Sequence, residues 1–181
     1  GSVFQNPRTQ FFHTDTTGEL AFQLENQNMP REQMRRRLDQ VVTELGLESL
    51  MERSIFALSG GEKQQIACGS VYASMPQVVV LDEPSSNLDL EGIRKLRGLL
   101  ETMKASGVTI LVSEHRLWYL HGLADRYLLL ENGKLRGDFE PERMTALDPQ
   151  TRQALGLRAV DREQLFSLCP QARPAERMEP G

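Results

Sequence analysis

Apolar residues recur along the chain at two periods. From Pro30 to Gly46 they are spaced three or four residues apart, which predicts an amphipathic helix that begins near Pro30 and ends at Gly46. An earlier helix is predicted around Thr17 to Glu25, and a later one ends at Gly107. The apolar residues of the second and later helices are Met34, Leu38, Val41, Val42 and Leu45, and Ile93, Leu96, Leu99, Leu100 and Met103.

Other stretches have the pattern of strands. The run Val78 to Leu81 is uninterrupted, which predicts a strand buried on both faces, and Val108 to Val112 predicts a second buried strand. Asn132-Gly133 favours a tight turn between two further strands, at Tyr127 to Leu130 and Leu135 to Gly137. Because strands and helices alternate, we expect an α/β fold with a parallel sheet.

Composition excludes several classes of protein. A net charge of −4 in 181 residues argues against a nucleic-acid partner, which needs a strongly basic surface. The basic run Arg35 to Arg37 is interpreted as a solvated helix face. No stretch reaches the roughly 20 apolar residues of a membrane span. Two cysteines, Cys68 and Cys169, cannot form a disulfide framework, and they fit a reducing cytosol.

Two carboxylates follow the first buried strand. Asp82 and Glu83 come directly after Val78 to Leu81, at the end of a strand where α/β sheets place their ligands. A carboxylate there suits Mg²⁺, and its neighbour suits deprotonating a water molecule. A plain Asp-Glu-Pro turn is the alternative.

A glycine-rich turn lies before the strand. In Leu58 to Gln64, Ser59 is a plausible N-cap, and Glu62 completes a capping box. The backbone N–H groups of Gly60 and Gly61, at a helix start, can receive an anion. A capped helix with no ligand is an equal alternative.

Two further polar residues follow strands. His115 comes after Val108 to Val112, where an imidazole can bond a phosphate oxygen or a water. Gln5 follows Val3-Phe4, and its amide can join a metal shell. Taken alone, each is better explained as structural.

Together and in order, these segments resemble the ABC ATPase family. Leu58 to Gln64 resembles the signature motif, with Glu62 where glutamine is usual, and Val78 to Glu83 resembles Walker B. The remaining matches are Gln5 with the Q-loop, Asp89 with the D-loop and His115 with the switch histidine.

The resemblance implies a role for each matched residue. Glu83 and His115 would be catalytic, Asp82 and Gln5 would serve Mg²⁺, and Asp89 would communicate across a dimer. The signature residues would bind ATP held by the opposite subunit; they are Ser59, Gly60, Gly61 and Glu62.

The N-terminal part is most similar to the ATPases of energy-coupling-factor (ECF) and cobalt-type importers, through Val3 to Phe12, Asp15 to Phe22 and Glu25-Asn26. The resemblance implies a partial P-loop NTPase (RecA-like) domain over residues 1–157. Its helical subdomain would cover roughly 14–75 and its Walker B and switch part 76–140, followed by a tail or linker at 158–181.

The chain begins at Gly1, and the Gly-x-x-x-x-Gly-Lys-Ser/Thr loop that cradles nucleotide phosphates does not occur in it. We therefore expect an N-terminally truncated domain that lacks the Walker A strand and loop. Its exposed apolar surface would be open to association, and its own ATPase activity is doubtful.

The function implied for the family member is ATP hydrolysis coupled to uptake of a vitamin or metal ion. Its cofactors would be ATP and Mg²⁺, and its partners a second ABC ATPase subunit or domain and a transmembrane coupling subunit. It would be cytoplasmic and peripheral on the inner face of the cell membrane. A non-transport ABC ATPase and an inactive binding fragment are the alternatives.

Overall fold

Residues 1–155 are described by the computed structural model, and they divide into two units between His115 and Arg116. The tail predicted at 158–181 and Cys169 lie outside the described residues. The first unit contains a parallel sheet and four helices. The second contains a hairpin and two short helices.

The helices of the first unit begin and end where the sequence predicts. They are α1 (Thr16–Asn26), α2 (Arg31–Leu45), α3 (Gly60–Ala73) and α4 (Leu90–Ala105). Asp15 caps α1 by accepting a hydrogen bond from the N–H of Gly18. Gly46 ends α2 with a φ of 63°, a left-handed conformation that costs glycine little.

The core of the first unit forms where α1 and α2 pack on α3. Helix α3 is buried along nearly its whole length, because neighbours contact it on several sides. Gly69 lets them approach closely, since a Cβ there would lie 2.8 Å from Leu47 and 2.9 Å from Leu20. The fully buried side chains include Leu20, Leu24, Leu47 and Ile66.

The sheet has the order β1-β2-β3, with β1 at Ser2–Val3, β2 at Val78–Asp82 and β3 at Thr109–Ser113. Both pairings are parallel, which confirms the predicted sheet. Val3 pairs with Leu81, and Asp82 pairs with Ser113. All three strands therefore end at the same edge.

The prediction that both strands are buried on two faces is wrong. Val79 and Leu81 are fully buried, but Val78 and Val80 are 43% and 42% exposed, and Leu111 of β3 is 49% exposed. Among the described residues, nothing buries this second face. The run of β-branched residues by itself matches a strand that is covered on both faces. The exposed second face agrees instead with the exposed apolar surface that was also expected from the sequence.

The prediction that Arg35 to Arg37 form a solvated helix face is wrong for Arg37. Its side chain is only 10% exposed, and its guanidinium lies 4.8 Å from the centre of the Tyr72 ring. It donates hydrogen bonds to the carbonyl oxygens of Tyr72 and Ala73, at 2.8 and 3.2 Å. The end of α3 therefore depends on an arginine whose long stem packs as an apolar group.

In the second unit, β4 (Tyr127–Glu131) and β5 (Lys134–Phe139) form the predicted antiparallel hairpin. Asn132 and Gly133 have φ of 50° and 72°, the positive values that such a tight turn needs. Two short helices follow, α5 (Pro141–Thr145) and α6 (Pro149–Ala154). Tyr127 and Met144 are the buried residues of its small core.

Two glycines give a matched test of these helices. Gly46→Ala should destabilise the chain by about 1 kcal/mol, because alanine is strained at a φ of 63°. Gly98→Ala, inside α4 with open space around it, should stabilise by about 0.5–1 kcal/mol. Urea unfolding of both variants measures the difference. Equal effects of the same sign would contradict the assigned backbone conformations.

Candidate functional site

The carboxyl ends of the three parallel strands bring polar side chains together. Gln5 follows β1, Asp82 and Glu83 stand at the end of β2, and His115 follows β3. This is the edge at which parallel sheets place ligands.

Glu83 is the centre of this group. Its Oε2 accepts a hydrogen bond from Gln5 Nε2 at 2.9 Å, and its Oε1 lies 3.3 Å from His115 Nε2. The carboxylate is therefore held from two sides by residues of two other chain segments. Its side chain remains 32% exposed, and that of His115 is 73% exposed, so the group is open to a ligand.

The backbone of Glu83 is strained. Its φ is 41°, a left-handed value that a glutamate rarely adopts. Its N–H donates to the carbonyl oxygen of Ser113 at 2.8 Å, which extends the β2–β3 pairing by one residue. Such strain persists where the surroundings fix the backbone, and it is concentrated at functional sites.

Glu114 also lies at this edge of the sheet, and it was not predicted from the sequence as a site residue. Its Oε1 accepts from the N–H of His115 at 2.8 Å, and its Oε2 accepts from the N–H of Ser85 at 3.3 Å. It thus ties the segment after β3 to the segment after β2. Its position beside His115 in the sequence was the available signal.

Asp82 lies at the same edge with its side chain exposed. In residues 1–155, no cluster of three or more His, Cys, Asp or Glu side chains has the arrangement of a metal site. The Asp82 carboxylate and the Gln5 amide still offer the oxygen ligands that Mg²⁺ takes when phosphates and waters complete its shell.

The glycine-rich turn forms the predicted capping box at the start of α3. Ser59 Oγ accepts from the N–H of Glu62 at 3.3 Å, and Glu62 Oε2 accepts from the N–H of Ser59 at 2.7 Å. A Cβ at Gly60 would lie 3.6 Å from the carbonyl oxygen of Asn87, so this turn lies beside the segment that leads into α4.

Two cations hold the turn, and neither was predicted from the sequence. Arg53 Nη1 lies 2.8 Å from Glu62 Oε1. Lys63, which is buried, donates from its ammonium to the carbonyl oxygen of Leu58. No spacing rule connects Arg53 to the turn, because the contact depends on how the chain folds between α2 and α3.

Hydrogen bonding stabilises the charged form of Glu62. The Ser59 backbone N–H, then the Arg53 side chain, lower the pKa of the Glu62 carboxyl from 4.5 to about 2. Glu62 is therefore an anion at neutral pH and stays one in mild acid.

Asp89 is the N-cap of α4. Its Oδ1 accepts from the N–H of Gly92 at 2.8 Å. One oxygen of the carboxylate is thus used in capping within its own chain. The residue is otherwise exposed.

Because of Glu62, the stability of the folded chain should depend on pH in the acid range. Because its folded pKa is below the unfolded value, its contribution is present above pH 4.5 and is lost as pH falls towards about 2. The stability difference between the wild-type chain and Glu62→Gln should shrink by about 1–2 kcal/mol over that range, less than the full pKa shift implies, because water partly screens the pair. Urea unfolding at several pH values measures it. A constant difference would contradict the assigned contacts.

Comparison with known proteins finds a family model, relatives and a solved structure that resemble this chain. The family model described as ABC transporter matches residues 1–86. A putative ABC transporter ATP-binding protein of Treponema denticola is 50% identical over 158 residues, which cover 87% of this chain and 32% of that protein. One from Methanosarcina acetivorans is 38% identical over 158 residues, covering 87% and 26%. The chain thus spans between a quarter and a third of the length of these relatives.

A solved structure is also similar. cbiO1 from Clostridium perfringens, part of the ABC transporter complex cbiONQ, has a TM-score of 0.75 and 28% identity, covering 85% of this chain and 62% of that one. Within the described part of the chain, no helix is long and apolar enough to cross a membrane. The resemblance drawn from the sequence is confirmed: the chain carries an ABC transporter domain in residues 1–86, is homologous to ABC transporter ATP-binding proteins, and has the fold of a P-loop ABC ATPase.

Proposed function

We propose that the protein hydrolyses ATP with Glu83 as the general base. The observation that carries this proposal is the contact of the Glu83 carboxylate with Gln5 and His115 at the sheet edge. A carboxylate held in place and still partly exposed can accept a proton from water as the water attacks the γ-phosphate. ATP and water then give ADP and phosphate.

Gln5 and His115 orient the base and respond to nucleotide. Both contact the Glu83 carboxylate, and both carry an N–H that can donate to a phosphate oxygen instead. When a γ-phosphate takes either donor, a carboxylate oxygen of Glu83 becomes available to water. Glu114 fixes the backbone of His115 during this exchange.

The arrangement fits a magnesium ion bound with the nucleotide. Asp82, directly or through water, and the Gln5 amide oxygen would hold it. Such an ion neutralises charge on the β- and γ-phosphates. Ser59 to Gly61 would receive the γ-phosphate of a nucleotide held by an opposite subunit, because a capped helix start presents N–H groups to an anion.

This use of the turn requires partners. We infer a second ABC ATPase subunit or domain. Its phosphate loop would hold the nucleotide whose γ-phosphate the turn receives, and Asp89 would lie at the contact between the two subunits. The similarity to cbiO1, part of the complex cbiONQ, supports an importer of ECF type with a transmembrane coupling subunit. The ATPase would then act at the inner face of the cell membrane, on uptake of a vitamin or metal ion.

A role as a non-transport ABC ATPase acting on nucleic acid is less well supported. The net charge of −4 gives no basic surface for phosphates of RNA or DNA.

Replacing the base should stop turnover and leave binding intact. In the full-length protein that contains residues 1–181, Glu83→Gln should lower kcat by roughly 10²–10⁴-fold, the usual contribution of a positioned general base. The matched control is Glu101→Gln, which removes an exposed carboxylate paired with Arg97 on α4. Phosphate release measures both. Wild-type turnover in Glu83→Gln would rule out this base.

Residues 1–181 by themselves should bind Mg-ATP weakly. The phosphate loop that they lack supplies several charge-assisted hydrogen bonds of roughly 1.5–3 kcal/mol each. Loss of three weakens binding by about three orders of magnitude or more. Calorimetric titration of the purified 181-residue chain should show no binding at micromolar Mg-ATP. A micromolar Kd would place the nucleotide on residues other than those proposed.

A further inference from the structure

The turn that is proposed to receive a phosphate carries a carboxylate of its own. The Ser59 N–H donates to Glu62 Oε2 at 2.7 Å, at the helix start that is proposed to receive the phosphate. Hydrogen bonding lowers the pKa of Glu62 to about 2, so the residue is an anion at neutral pH. A phosphate approaching this turn therefore meets a like charge, which opposes its binding.

Arg53 offsets that charge by direct contact. Its Nη1 lies 2.8 Å from Glu62 Oε1, the carboxylate oxygen that does not bind Ser59. The side chains of Arg53 and Glu62 are 38% and 26% exposed, so water screens the pair only in part. The usual glutamine at this position of the resembled motif has no charge and would need no such partner.

The backbone of Arg53 is fixed from the other side. Its N–H donates to Thr16 Oγ1 at 3.2 Å, and its carbonyl oxygen accepts from the N–H of Thr16 at 3.0 Å. Thr16 is fully buried at the start of α1, where its hydroxyl also donates to the carbonyl oxygen of Leu50 at 2.7 Å. The guanidinium thus extends from a rigid segment, which lowers the entropy lost in holding Glu62.

We propose that Arg53 is a positioning residue for nucleotide binding: it holds the Glu62 carboxylate on the N–H of Ser59 and cancels its charge, so that the turn can accept the phosphate of a nucleotide on the opposite subunit. This inference rests on the proposed function of the turn. Arg53 is needed for nucleotide binding because residue 62 is a charged glutamate.

A double-mutant cycle in the full-length protein tests this dependence. Arg53→Gln should raise KM for Mg-ATP about tenfold, with a smaller effect on kcat, because the phosphate meets an uncancelled carboxylate. Arg53→Lys keeps the charge and should recover most of the loss. In the Glu62→Gln background, Arg53→Gln should change KM by less than about twofold, since no charge is left to cancel.

The control is Arg36→Gln. Arg36 lies 2.5 Å from Glu32 in an exposed pair on α2, so this variant removes an arginine from an ion pair away from the turn. Its KM should equal that of the wild-type protein. Thermal unfolding of every variant shows whether a change in KM reflects a loss of fold, and the Arg53→Lys result separates lost charge from lost packing.

The outcomes separate this inference from the proposed function. If the wild-type protein hydrolyses ATP and Glu83→Gln abolishes this turnover, the proposed function is supported whatever the Arg53 variants show. Against that background, an unchanged KM in Arg53→Gln, or an equal rise in KM with and without Glu62→Gln, overturns the role of Arg53. Absence of ATP hydrolysis by the wild-type full-length protein overturns both.

Discussion

The parallel pairing of β2 with β1 and β3 is the constraint on which the rest of the site depends. Because the register sets Val3 beside Leu81 and Asp82 beside Ser113, the residues that follow the three strands meet at one edge. Gln5 and His115 reach the Glu83 carboxylate from either side as a result. The bond from the Glu83 N–H to the Ser113 carbonyl carries the pairing one residue further and holds a left-handed glutamate in place.

The second part of the site depends on charge at a helix start. The N-terminus of α3 favours an anion, and Glu62 already occupies part of that role through the capping box. Arg53 and Lys63 add two positive charges to the same turn, one on the Glu62 carboxylate and one on the Leu58 carbonyl. This balance determines whether the turn can receive a further anion.

Much of this could be predicted from the sequence, for identifiable reasons. The bounds of α2 followed from apolar spacing and from Gly46, and the hairpin followed from Asn132-Gly133, because both depend on local backbone preferences. The capping box was equally local. The meeting of Gln5, Glu83 and His115 was predictable once the sheet was taken as parallel, since strand ends then share an edge.

What the sequence could not show depends on packing between distant segments. The exposure of Val80 and Leu111 depends on what covers the sheet, and the burial of Arg37 depends on the carbonyl groups at the end of α3. The contact of Arg53 with Glu62 arises because Thr16 fixes the backbone of Arg53 at the start of α1. No periodicity or motif reports such contacts.

Glu83 is proposed to act on water at a γ-phosphate shared with the α3 turn of an opposite subunit. A crystal structure of the full-length protein with magnesium and a non-hydrolysable ATP analogue tests it most directly. We expect a water within roughly 2.6–3.2 Å of the Glu83 carboxylate, in line with the γ-phosphate, and Ser59 to Gly61 of the opposite subunit against that phosphate. A γ-phosphate bound away from both Glu83 and the turn would contradict it.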